Sequence, residues 1–153
     1  CRGMSFIDAA FLKKSDIQSG ILTYRRHKTN QVLHIKIIKP IKELVDRYSS
    51  NDSPYLLPII TRPHCDERRQ YETALRRVNK SLKTIAGMVK LPIPLTTYVS
   101  RHAWATIAKS KNIPVNVISD ALGHDSIATT QIYLASIDTS TIDRANELII
   151  KDL

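Results

Sequence analysis

A chain of 153 residues, 42% hydrophobic and 24% charged, has the size and composition of one ordinary globular domain with its own core. Its 23 Lys and Arg against 14 Asp and Glu give a net charge of +9, a positive field that draws nucleic acid first and an anionic membrane surface second. No apolar run approaches the roughly 18–20 residues of a membrane span, and two cysteines, Cys1 and Cys65, are too few for a disulfide framework or a structural zinc site.

The chain opens mid-pattern at Cys1-Arg2-Gly3-Met4 and reads as a fragment of a longer protein. From Ser5 to Lys14, Phe6, Ile7, Ala9, Ala10 and Leu12 predict a short helix with one apolar face. Two strands follow, over 21–25 and 32–37, joined through Arg26 to Asn30 as a hairpin with a basic tip. Pro40 opens a helix to Tyr48. Residues 49–63 carry three prolines and read as loop.

The most regular segment is 66–89, where Tyr71, Leu75, Val78, Leu82, Ile85 and Val89 repeat at helical spacing. Arg69, Arg76, Lys80 and Lys83 fall on roughly the opposite face at about 100° per residue. Spacing leaves two readings of that basic face open: a solvated surface, or one that lies along a phosphate backbone. Beyond Pro92 and Pro94, helices are expected near 100–110, 114–121, 126–133 and 139–151, with Gly123 as a helix stop. The expected class is therefore α+β, mainly α-helical with a small antiparallel β-sheet, in a single domain over 1–153.

The chemistry concentrates in the last third. Arg101 precedes His124 by 23 residues, and Tyr133 follows His124 by 9. A phosphodiester gathers negative charge on its non-bridging oxygens as a nucleophile arrives, and a planar guanidinium, charged at any working pH, suits that state. Arg101 is the first candidate and Arg2 the second. A tyrosine phenol has a pKa near 10 and is a weak nucleophile at neutral pH, so Tyr133 needs cations around it. No glycine-rich phosphate loop and no carboxylates paired at metal-site spacing occur.

These pieces resemble the catalytic domain of the tyrosine recombinase, or phage integrase, family. The matching segments are Arg2-Gly3-Met4-Ser5-Phe6-Ile7-Asp8, His27-Lys28-Thr29, Ser100-Arg101-His102-Ala103-Trp104-Ala105-Thr106, Leu122-Gly123-His124 and Thr129-Thr130-Gln131-Ile132-Tyr133, in the family's order. The resemblance implies a tyrosine recombinase catalytic core (the DNA breaking-rejoining enzyme fold), with Tyr133 as the nucleophile that forms a 3′-phosphotyrosyl link. Arg2 and Arg101 would hold the phosphate, His124 would hydrogen-bond it, and Lys28 would protonate the departing 5′-oxygen, without metal, ATP or other cofactor. Asp8 would support the site from behind. The family usually carries His three residues before the second arginine, where this chain has Tyr98. A phenol can donate to a phosphate oxygen but is a poor base, so Tyr98 is expected to act as a donor.

By the same resemblance, full-length relatives add an N-terminal DNA-binding domain and work on double-stranded DNA as homo-tetramers. The segment Thr139 to Leu153, with Ile142, Ala145, Leu148 and Ile149 on one face, would dock on a neighbour or pack on its own domain. The expected location is the cytoplasm, at the nucleoid, and the expected outcome is integration of a mobile element. Two alternatives stand beside this reading: a DNA-binding or architectural protein of the same fold that has lost the chemistry, and a type IB topoisomerase.

Overall fold

The computed structural model describes residues 1–48 and 53–134, with the backbone alone at Tyr133. The chain runs α1 (Phe6–Ala10), a 3₁₀ turn at Lys14–Asp16, β1 (Ile17–Gln18), β2 (Ile21–Arg25), β3 (Val32–Lys36), α2 (Lys39–Tyr48), α3 (Glu67–Met88), α4 (Val99–Ser110), α5 (Val115–Leu122) and α6 (Ile127–Leu134). The expected helix at 139–151 lies outside the described residues.

The strands form one antiparallel sheet in the order β1-β2-β3. Ser19 and Gly20, both at positive φ, make the two-residue turn that pairs Gln18 with Ile21, a geometry that matches the twist of a hairpin. Sequence reading passed over β1 because two residues are too few to show alternation. The second hairpin pairs Arg25 with Val32 and closes its tip with Arg26 N to Gln31 O at 2.8 Å and Asn30 N to Arg26 O at 2.9 Å.

Three apolar clusters pack the described residues together. Leu12, Leu22, Tyr24, Ile35 and Leu56 form the first, with Leu33, Ile37, Ile41 and Val45 packed on it, so the inward face of the sheet is covered by α2. Ala10, Tyr55, Ile60 and Tyr71 form the second, where α1 meets α3. The third joins α4, α5 and α6 through Ala105, Ala108, Ile118, Leu122 and Leu134.

α1 ends earlier than its composition predicts. Ser5 caps its start, accepting from Asp8 N at 3.2 Å, but the chain leaves the helix at Phe11 and turns so that Lys13 can bridge to Tyr55. The α3 stripe is buried only toward its N-terminus. Tyr71 lies inside, whereas Ile85 and Val89 are exposed, because α1 covers only the first turns of α3.

Candidate active site

Arg101 sits in the first turn of α4 and is buried, 2% exposed. Its Nη1 donates to the Gly3 carbonyl at 2.8 Å and its Nη2 to the Leu122 carbonyl at 2.6 Å. The N-terminal turn therefore has to press against α4. Gly3, at φ 64°, makes that possible, since a Cβ there would lie 3.2 Å from Arg101 Cα.

α5 stops where a left-handed residue ends it. Gly123 has φ 62° and ψ 49°, and the His124 amide reaches back to the Ser119 carbonyl at 3.1 Å. This is the glycine-terminated closure that caps many helices, and it fixes the backbone of His124. The buried His124 ring has Nδ1 2.8 Å from the hydroxyl of Thr130, itself fully buried on α6. The ring is thus tied to the helix that also carries Tyr133.

The β2–β3 tip is laced to this turn. Arg26 Nη1 donates to the carbonyls of Leu122, at 2.9 Å, and of Gly123. Thr29 Oγ1 donates to the Gly123 carbonyl at 3.1 Å. Gln31 Nε2 donates to the His124 carbonyl at 3.3 Å and to Asp125 Oδ1 at 3.2 Å. Residues more than ninety positions apart are so held in one place, with exposed Lys28 at the tip.

Two guanidiniums and one imidazole share this volume, and the titration of Arg101 and His124 records it. Burial, and then repulsion from Arg26, lower the Arg101 pKa to about 10, so it stays charged at neutral pH. His124 is pushed down to about 4 by burial first, then by Arg101, Arg26 and Lys28, so its ring is neutral above mildly acidic pH. What makes two buried cations tolerable is the C-terminus of α5, whose last carbonyls carry partial negative charge, together with the Asp8 carboxylate 3.7 Å from Arg26 Nε. The cluster keeps a positive potential directed at His124, a pre-formed setting for an anion.

Comparison with known proteins decides the family. Residues 3–139 match the phage integrase family. The chain belongs to that family. It is 31% identical over 154 aligned residues to the tyrosine recombinase XerA of Pyrococcus furiosus, covering 95% of this chain and 51% of that protein. It is 28% identical over 134 residues to XerC of Bradyrhizobium diazoefficiens, covering 86% of this chain and 41% of that one. This chain spans about half the length of the curated relatives it matches. Among solved structures, XerA recombinase superposes with a TM-score of 0.68 at 21% identity, over 95% of this chain and 53% of that one. The catalytic domain of bacteriophage HP1 integrase gives 0.53 at 20%, over 95% and 74%. The mainly helical fold with its small antiparallel sheet is shared with these two structures.

Within this family member, the structure gathers Arg101, His124 and Lys28. Arg2 is exposed in the turn before Gly3, at φ 50°; it borders an apolar groove with Leu12, Leu44 and Trp104. Tyr98 caps α4, half exposed, its ring 4.8 Å from that of His102 in an edge-on contact. Tyr133 lies on α6, three residues after Thr130; its side chain falls outside the described residues. Arg69, Arg76, Lys80 and Lys83 are all exposed on α3. Sequence reading missed Arg26. The signal was present: Leu22 and Tyr24 are the inward residues of β2, and alternation makes Arg26 the next.

Proposed function

We propose that the protein containing this chain is a site-specific DNA recombinase that cuts and rejoins duplex DNA through a covalent 3′-phosphotyrosine. The Tyr133 oxygen attacks the scissile phosphorus, the P–O5′ bond breaks, and the departing 5′-oxygen takes a proton from Lys28. The phenol's own proton passes to water. Rejoining is the reverse, with a 5′-hydroxyl as nucleophile. Because the phosphotyrosyl bond conserves the energy of the one it replaces, no ATP is called for, and stabilisation of the phosphate falls to Arg101, Arg2, His124 and Tyr98 rather than to a metal. Thr130, donating its hydroxyl to His124 Nδ1, would leave Nε2 protonated as a donor toward a phosphate oxygen.

The observation that carries this reading is the hydrogen-bonded seam between hairpin tip and α5 turn, which sets Lys28, His124 and Arg101 around one electropositive spot. Solved neighbours of the same fold include XerH recombinase bound to its difH substrate, with a TM-score of 0.61, and a lambda integrase dimer bound to a core site, at 0.58. Duplex DNA is accordingly the proposed partner. The basic face of α3 would run along its backbone, and four subunits would assemble on two sites, with the segment from Thr139 to Leu153 docking on a neighbour. Integration of a mobile element is the proposed outcome, acting on the nucleoid in the cytoplasm.

The test is a duplex nicked beside the scissile phosphate, so that the cleaved fragment diffuses away and the enzyme is trapped. The full-length protein should give a covalent adduct that survives denaturing electrophoresis. Tyr133→Phe should abolish it while DNA binding persists. Binding without any adduct from the unsubstituted protein would mean an architectural protein of this fold.

A further inference from the structure

We propose that Arg26 is a positioning residue, a buried guanidinium faced by Asp8 that fixes the hairpin tip bearing Lys28 against the turn bearing His124. What tip and turn do for catalysis rests on the function proposed above; that Arg26 registers one against the other rests on geometry alone.

Arg26 is the first residue past β2 and continues its inward face, so its side chain enters the protein where a leucine would suffice for packing. It is 5% exposed. Burying a guanidinium is costly unless its donors are used, and here they are aimed at one target: Nη1 bonds both carbonyls that immediately precede His124. Among the described residues Nε has no hydrogen-bond partner; at 3.7 Å, Asp8 Oδ2 is too far for a hydrogen bond and close enough for charge attraction.

Asp8 is itself 3% exposed and grips the tip a second time, its Oδ1 accepting from the His27 amide at 2.9 Å. Its Oδ2 accepts from Ser5 Oγ at 2.6 Å, anchoring the pair to α1. The fit over the turn is tight: a Cβ on Gly123 would lie 2.7 Å from Arg26 Cδ. Lys28, two residues on, inherits its place from this anchor. A lysine at 26 would offer a compact, strongly hydrated point charge in place of the planar group that bonds two carbonyls at one end and faces a carboxylate at the other.

Amide hydrogen exchange on this chain, without DNA, reads both segments directly. Arg26→Gln should raise exchange by roughly tenfold or more in residues 27–31 and 122–125 together, with the middle of α3 unchanged. Arg26→Lys should fall between the two. Loosening of one segment alone, or of neither, would overturn the proposal. So would equal loosening of α3, which would make Arg26 a general stabiliser. Should Arg26→Gln fail to fold, Asp8→Asn, which removes the facing charge and one of the two acceptor oxygens, is expected to loosen the same two segments.

Cleavage supplies a second readout. Arg26→Gln in the full-length protein should slow adduct formation on the nicked duplex by about tenfold or more, about one lost orienting interaction. Replacing the bridging 5′-oxygen by sulfur, which leaves as a thiolate with no proton donor, should recover most of that loss, since the placement of Lys28 then ceases to matter. Recovery instead on a neutral methylphosphonate would mean that Arg26 itself neutralises phosphate charge, against a positioning role. An unsubstituted protein that makes no adduct would sink the recombinase reading and leave the exchange result to decide this one.

Discussion

His124 shows how a burial site chooses a protonation state. Its ring is almost enclosed and bonded to Thr130; burial first, then the charges of Arg101, Arg26 and Lys28, disfavour a second proton, against a smaller opposing pull from Asp125. The folded pKa of about 4 lies below the ordinary value of about 6.5, so between those two the unfolded chain takes up a proton that the folded chain refuses. Stability from this group is therefore complete above about pH 6.5 and is lost as pH falls toward 4. The expected result is a melting temperature that drops on acidification across that window, and less steeply in His124→Gln. Carboxylates titrate at the lower edge of the same window, so the difference between the two chains is the quantity to measure. An imidazole resonance moving with a midpoint near 6.5 would refute the electropositive enclosure.

At the scale of elements, the loops set the site and the regular structure supports it. Gly123 ends α5 in a left-handed conformation and lies beneath the Arg26 side chain, so Gly123→Ala meets two penalties: backbone strain of about 1–2 kcal/mol and overpacking of about 1–3 kcal/mol. Gly20 provides the control, for its φ is 76° with nothing within 4 Å of a built Cβ. Gly20→Ala should cost the strain alone, about 1–2 kcal/mol, and urea unfolding should place Gly123→Ala well below it. Equal losses would mean that the arginine does not crowd the turn. Much of this was legible in the sequence. The glycine stop, the basic hairpin tip and the start of α4 all carry local signals in turn chemistry and periodicity. The seam between the tip and the α5 turn was not, because Thr29, Gln31 and Gly123 show nothing locally of a pairing across some ninety positions. Arg26 reads in the sequence as part of a basic hairpin tip, although alternation past Leu22 and Tyr24 puts it inside. Ile85 and Val89 misled in the other direction: their helical spacing is sound, but periodicity reports a face and not whether anything covers it.

For the whole molecule, the site lies on a seam. The sheet, with α2 behind it, forms one cluster and α4–α6 another, and the polar bonds from Arg26, Thr29 and Gln31 run between the β2–β3 tip and the turn after α5. Such a site can be rigid while its two sides meet different parts of a long ligand, and the net charge of +9 makes a polyanion the natural one. The α3 cations bear on where that ligand would lie. Arg68 on the same helix is engaged with Glu72 at 2.7 Å, whereas Lys80 and Lys83, further along, are exposed. Each cation that displaces a condensed counterion from duplex DNA contributes about 0.9 to the slope of log affinity against log salt. If α3 follows the backbone, exchanging Lys80 and Lys83 together for Gln should flatten that slope by about 2, and should weaken binding equally on DNA of any sequence. Fluorescence anisotropy over a range of salt measures it. A slope unchanged by the double substitution would move the DNA off α3, and the basic face there would be a solvated surface whose helical spacing serves to bury Tyr71, Ala74 and Ala86 on the other side.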